Sequence, residues 1–408
     1  MGITLLQTLP LNRVDGFDCP YSSPSAFGCE PRLLSLEWFV ERNLLAEADL
    51  AQTKSNGLRR AFENFKNGKG AASLRAKYSE FRDRHDDWLV PLAKFLGDDS
   101  LDFQPFLEFC FREQWSAFRS RAEELGIRLI GDIPIFVSAE GVDILTIPEQ
   151  FKLDEKGHPL VVAGVPPDLF SEMGQNWGAP VYDWEKMKAD DWRWWRKRLR
   201  LQFELFHTVR LDHFRGFAAT WEIAVVHGDA RKGEWVQGGG ASLLAALVEE
   251  SPGNDSLLAE DLGVITPDVD SLRDGFKLPT MRVQQFHWEQ QFPKHSVAYT
   301  GTHDNDTLWG WHQSLDHEAK RKLHSHLGLS DGRTEREKFI PRMIEDLLRR
   351  DSDWCIVPVQ DLLLLGPEAR MNRPGTVGGN NWKWRLSPNQ LETADLSWFS
   401  DLIRASGR

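Results

Sequence analysis

The chain has 408 residues and is 41% hydrophobic, enough to bury a large core as one barrel or as two to three ordinary domains. Its 61 acidic residues against 49 basic ones leave a net charge of −12, which repels a phosphate backbone and argues against a nucleic-acid partner. No run of about eighteen apolar residues and no basic leader with a long apolar segment occurs, so neither membrane insertion nor export is signalled.

In chain order, "ITLLQTLPL" (3–11) opens residues 1–40 as an apolar strand and begins a barrel. Residues 41–120 read as charged amphipathic helix inserted between barrel units, and "IRLIGDIPIFV" (127–137) supplies the next strand within 121–137. Residues 138–188 are irregular and rich in Pro and Gly, and read as a substrate-binding insertion. The remainder of a catalytic barrel then occupies 189–408. There "ADDWRWWRKRLRLQFELF" (189–206) sets Trp192, Trp195, Leu199, Phe203 and Phe206 at helical spacing, and "TPDVDSLRDGF" (266–276) opens a helix with Thr266 as N-cap and Pro267 at the first helical position. The strands are "TVRLDHF" (208–214), "SLLAEDLGV" (256–264), "TMRVQQF" (280–286), "SVAYTGTHD" (296–304) and "DWCIVPVQD" (353–361). Strands alternating with helices imply parallel βα units.

Cys19, Cys29, Cys110 and Cys355 are sparse and form no C-x-x-C pair, which predicts free thiols and a cytoplasmic location. "GGG" at 238–240 lacks a G-x-G-x-x-G continuation and reads as a loop before a helix, and no zinc-ligand spacing is present. Neither a cofactor nor a metal is expected.

Successive strand side chains point to opposite faces, so in "HTVRLDHFRGF" (207–217) Val209 and Leu211 share one face and Arg210 and Asp212 the other. Asp132, Asp212, Glu260, Asp304 and Asp361 each stand near the C-terminal end of a different strand, and in an α/β barrel such ends gather at one mouth. Any one of them alone could instead cap a helix, and Arg210 with Asp212 could be a structural ion pair. Two carboxyl groups about 5–5.5 Å apart, one ionised and one protonated, are the minimum machinery of retaining glycosyl transfer. Arg210 would keep Asp212 charged, and Glu260 follows the apolar run "SLLA", where drier surroundings raise a carboxyl pKa. Asp304, beside His303, is placed to hold sugar hydroxyls.

The stretches "CPYSSPSAF", "GDIPIFV", "AGVPPDLFSEMGQNWGAP", "VRLDHFRGF", "LLAEDLGVITPDV", "YTGTHDNDT" and "GPEARMNRPGTVGGNNWKWRL" resemble the amylomaltases or disproportionating enzymes, 4-α-glucanotransferases of the α-amylase superfamily. The resemblance implies a (β/α)8-type TIM barrel acting on α-1,4-glucans and maltooligosaccharides. It makes Asp212 the nucleophile, Glu260 the general acid/base and Asp304 the third acid, with Arg210, His213, His303 and Asp132 as their partners. It also implies that Tyr21, Gln175, Trp177, Phe286 and Asn381 contact glucose units. The family's first strand-helix unit has no counterpart in the quoted residues, so seven barrel strands and a seam between 3–11 and 353–361 are expected, and Leu169 stands where Tyr is usual. An α-glucan hydrolase with the same acids, and a glucan-binding remnant without activity, remain the alternatives.

Overall fold

The computed structural model describes residues 2–98, 100–167, 172–253, 255–330 and 334–408, so Leu169 lies outside the described residues. Its strands, in chain order, are β1 (Leu5–Gln7), β2 (Arg128–Ile133), β3 (Val161–Val165), β4 (Gln175–Pro180), β5 (Thr208–Leu211), β6 (Ala219–Ala224), β7 (Glu234–Gln237), β8 (Leu257–Ala259), β9 (Thr280–Val283), β10 (Ser296–Tyr299) and β11 (Trp354–Ile356). Seven of them are parallel. One run has the order β1-β2-β5-β8 and the other β9-β10-β11. At their junction the Ala259 N–H donates to the Pro279 carbonyl at 3.4 Å.

Two-residue alternation explains what each strand buries. Leu129, Val209, Leu211, Leu257 and Ala259 join the largest apolar cluster, which also holds Trp195, Leu199 and Phe206 from helix Arg193–Leu205 and its end, and Leu243 and Leu247 from helix Gly240–Glu250. The intervening residues Ile130 and Leu258 join Met281, Val283, Val297 and Tyr299 in a second cluster. Burying each such aliphatic side chain contributes about 1.5–3 kcal/mol, so the two clusters together hold the strand ladder in register.

Between β1 and β11 there is no backbone pairing among the described residues, which is the seam expected from the sequence. Both strands are only partly buried, whereas β5 and β10 are buried throughout. Side chains span the gap where the backbone does not. Leu5, Trp354 and Ile356 pack on the second cluster, the Arg128 guanidinium lies 5.3 Å over the Trp354 ring, and Tyr299 donates its hydroxyl hydrogen to Gln7 at 2.8 Å.

The stretch 138–188 is less irregular than its sequence suggests. Strands β4-β3-β6-β7 form an antiparallel sheet beside the parallel one, and "QNWGAP" is β4 itself. The local signal is broken by a register shift between Ala163 and Gly164, and by Gly178 at φ +67°, a conformation favouring glycine. At Gly164 a Cβ would lie 2.1 Å from the Gln175 carbonyl oxygen, so glycine there permits the close strand approach. Residues 41–120 are mainly helical as expected, in Lys54–Lys66, Ala72–Phe95 and Phe103–Glu124. Thr266 occupies the N-cap position with Pro267 after it, but its side chain makes no capping bond; the hydroxyl is engaged by Arg215 instead. Among the described residues no helix is long and apolar enough to cross a membrane.

Gly131 on β2 faces Phe206, where a Cβ would come 2.2 Å from the ring. Gly131→Ala is therefore expected to cost about 1–3 kcal/mol in urea unfolding through overpacking. Gly275→Ala, at the end of helix Pro267–Gly275 with nothing within 4 Å of the added carbon, should change stability by less than about 1 kcal/mol.

Candidate active site

β5 ends the way its alternation requires: Val209 and Leu211 turn into the helix-facing core, leaving Arg210 and Asp212 on the opposite side. The ladder continues one residue beyond the strands. Asp212 N–H donates to the Ile133 carbonyl at 3.1 Å and Glu260 N–H to the Leu211 carbonyl at 3.1 Å, so the two acids follow their strands at adjacent ladder positions.

Arg210 is 4% exposed, and its Nη1 donates to both oxygens of Asp132, at 2.8 and 2.7 Å, while lying 2.9 Å from Asp212 Oδ1. One cation thus serves two carboxylates. Burial pushes Asp212 up to about 7, and Arg210 pulls against it. Burial also holds Glu260 well above the usual carboxylate range; Arg210 pulls against this from beyond ion-pair distance, and the Asp212 carboxylate adds to the rise. The negative charge of the pair therefore belongs on Asp212 and the proton on Glu260. Glu260 accepts the His213 N–H at 2.7 Å through Oε2 and the Leu262 N–H at 3.2 Å through Oε1, bonds that fix the plane of its carboxyl group. His213 adopts φ +47° in presenting that N–H, and burial, with Arg215 nearby, pushes its imidazole down to about 4, so the ring is neutral.

Asp304 stands beyond β10 after a turn in which Asn305 Oδ1 accepts from the N–H and hydroxyl of Thr302. Its carboxylate accepts from Asn372 Nδ2 at 2.7 Å and lies 3.5 Å from His303 Nε2. Burial pushes His303 down, with Asp304 opposing. Its ring stacks on Tyr21 at 5.0 Å, and Trp382 packs against both.

These side chains line a cleft of about 810 Å³ that holds Asp212, Glu260 and Asp304 together with Tyr21, Gln175, Trp177, Arg210, His213, Phe286 and His303. Trp177 is 39% exposed and meets His213 edge-on at 4.8 Å, with its indole N–H 3.3 Å from Gln175 Oε1. Phe286, 42% exposed, faces the same space from the end of β9.

Four sequence expectations change. Tyr21 is tied down by its hydroxyl, which donates to Asp132 Oδ2 at 2.7 Å, and its ring already stacks on His303. It braces the site as well as lining it. Asp361 does not join the mouth; it is 1% exposed and accepts the Leu308 N–H at 2.8 Å and the Thr300 hydroxyl at 2.9 Å, capping the start of helix Leu308–Ser314. Asn381 is 8% exposed and spends its amide within its own loop, on the Arg373 N–H and on the carbonyl and hydroxyl of Thr376. Asp132 also lies beneath the cleft rather than in it. Asn372 and Trp382 line the cleft where Asn381 does not; all three lie inside "GPEARMNRPGTVGGNNWKWRL", whose spacing does not distinguish them.

A sequence-family profile described as 4-alpha-glucanotransferase matches residues 1–97 and 96–392. The 4-alpha-glucanotransferase of Thermus thermophilus is 38% identical over 94% of this chain and 88% of its own length. That of Aquifex aeolicus (strain VF5) is 35% identical over 97% and 90%. Among solved structures, an amylomaltase from Streptococcus agalactiae in complex with acarbose superposes with a TM-score of 0.89 at 27% identity, covering 99% of this chain and 92% of its own.

If Arg210 is what keeps Asp212 ionised, removing the cation raises the Asp212 pKa further. Arg210→Met is expected to move the acid limb of the kcat/KM profile to higher pH, with kcat/KM below that limb falling about tenfold for each unit of the rise. Arg210→Lys, which keeps the charge without the fork, should move the limb less. A pH–rate profile with an unmoved acid limb in Arg210→Met would sink the assignment.

Proposed function

The chain belongs to the 4-alpha-glucanotransferase family, and we propose that Asp212 is its nucleophile, Glu260 its general acid/base and Asp304 the carboxylate that holds hydroxyls of the transferred sugar. The observation that supports this division of labour is the placement of Arg210, at 2.9 Å from Asp212 and at ion-pair distance from no oxygen of Glu260. A carboxylate beside a cation is available to attack; a buried carboxyl without one keeps its proton to give.

The reaction then runs in two steps. An Asp212 oxygen attacks the anomeric carbon of an α-1,4-linked glucose while Glu260 protonates the departing 4-oxygen, leaving a β-glycosyl-enzyme and a free glucan end. A second glucan's 4-hydroxyl next gives its proton to Glu260 and attacks the same carbon, which restores the α-1,4 bond and frees Asp212. Asp304 with Asn372, and His303 with Tyr21, form the wall that holds the transferred glucose. Retention requires the carboxyl groups of Asp212 and Glu260 to work about 5–5.5 Å apart. The proposed substrates are α-1,4-glucans and maltooligosaccharides, and the proposed compartment is the cytoplasm, a reading carried by the sparse, unpaired cysteines.

Hydrolysis would use the same acids with water as the acceptor. Trp177 favours transfer, because an indole at the cleft both stacks on a pyranose and displaces water from the glycosyl-enzyme. Maltotriose should accordingly yield glucose plus a ladder of longer maltooligosaccharides, and Trp177→Ala should increase the share of hydrolysis. Chromatography showing glucose and maltose alone would favour the hydrolase. Asp212→Asn should abolish the covalent intermediate detected by mass spectrometry, since an amide does not act as the nucleophile here.

A further inference from the structure

Past the acids, two loops leave β5 and β8 side by side. The first carries Asp212, His213 and Arg215; the second carries Glu260, Leu262, Val264 and Thr266. They are joined near their start by the Phe214 N–H donating to the Glu260 carbonyl at 3.0 Å, and farther out by Arg215 Nη1 donating to the Thr266 hydroxyl at 2.7 Å. At that outer end the Arg215 guanidinium lies 3.8 Å over the ring of Trp235. Neither Arg215 nor Trp235 has a part in the chemistry above.

Trp235 sits on β7, the edge strand of the antiparallel sheet, opposite Trp221 on β6. The two indoles meet edge-on at 5.2 Å, and Trp221 is itself fixed by its N–H donating to the Ala230 carbonyl at 2.8 Å. Despite these supports Trp235 remains 36% exposed, and with Arg215 and Val264 it lines the cleft. Arg215 is 6% exposed, forms no ion pair among the described residues and leaves its Nε without a hydrogen-bond partner there. Burying a guanidinium without a carboxylate is costly. The buried guanidiniums of Arg210 and Arg273, by contrast, rest on Asp132 and Asp261. What Arg215 gains in place of a direct carboxylate contact is an indole face and the Thr266 hydroxyl, which in turn donates to Asp268, and what the indole gains is a fixed orientation.

The position of this pair relative to the acids decides which part of a glucan it would meet. Glu260 exchanges its proton with the 4-oxygen of the leaving and incoming chains, so those chains pass on the side from which the Glu260 loop runs outward. The transferred glucose is held on the other wall, by Asp304, His303 and Tyr21. A flat, rigid, partly exposed indole in the cleft suits the C–H face of a pyranose. We infer that Trp235, held in place by Arg215, is a stacking platform for an acceptor glucose beyond the first, and that it gives the enzyme a preference for longer acceptors.

This inference rests on the roles proposed for Asp212 and Glu260, and one assay tests the two separately. α-Maltosyl fluoride serves as donor, and fluoride release, which reports turnover of that donor alone, is followed as glucose or maltotriose is added. In Trp235→Ala the half-saturating concentration of maltotriose, divided by that of glucose, should rise about threefold to tenfold. Trp235→Leu, which fills the volume without a flat face, should do the same, and Trp235→Tyr should restore most of the ratio. Arg215→Met, which frees the indole, should raise it in the same direction. An unmoved ratio in both Trp235→Ala and Trp235→Leu, with Asp212→Asn inert toward the fluoride, overturns the platform alone. Fluoride release by Asp212→Asn at the wild-type rate overturns the catalytic assignment and the platform with it.

Discussion

The site depends on one buried cation held between two carboxylates. Arg210 is drawn from water by its place on β5 and stays charged because Asp132 and Asp212 surround it. Removing a guanidinium from water costs several kcal/mol, so the arrangement is stable only while its acceptors are in place. The strand ladder puts them there, since β2 pairs with β5 in a register that sets Asp132 opposite Arg210. A shift of one residue would turn Arg210 into the helix-facing core, as side-chain direction has a period of two. The apolar residues that fix this register, Val209 and Leu211 outward and Ile130 inward, therefore hold the charge pattern of the cleft as firmly as they hold the core.

From that cation the asymmetry of the two acids follows. Both are buried and both are raised, yet among the described residues Asp212 alone of the two has an ion-pair partner. Glu260 is oriented by backbone N–H groups, one of them made available by the left-handed conformation of His213. Such a backbone conformation in a non-glycine residue costs of order 1–3 kcal/mol and persists where surrounding structure dictates it. Here that cost falls on the residue next to Asp212, and what it supplies is the orientation of the partner acid.

The second sheet does different work. Strands β3, β4, β6 and β7 contribute no acid to the cleft but bring Trp177, Gln175 and Trp235 to its wall. The parallel strands thus hold the charges proposed to act on the bond, and the antiparallel strands hold exposed indole surface at the same cleft. The division is physically reasonable, because charges need a buried, rigid setting while stacking platforms need exposure on one side.

Much of this was legible in the sequence. Alternation placed Arg210 beside Asp212 on one face, the apolar run before Glu260 forecast its raised pKa, and the three acids with Trp177, Gln175 and Phe286 do share a cleft. The seven parallel strands were also readable, because each strand carries its own apolar pattern, while the seam between the first and last was implied by the family resemblance. Other features were not. Asp361 follows its strand as the other acids do, but a helix start with a free N–H at Leu308 claims it. Asn381 and Asn372 look equivalent in one polar loop, and only the fold of that loop turns Asn372 to Asp304 and Asn381 inward. β4 and its sheet escaped because glycine, proline and a register shift erase the period-two pattern on which local reading depends. The amino-acid sequence by itself determined which faces of the strands are apolar and which residues can carry charge, since those properties belong to each residue and its near neighbours. Which acids meet, which side chains brace rather than bind, and which indoles reach the cleft were decided by tertiary structure, because those outcomes depend on hydrogen-bond partners tens of residues away in the chain.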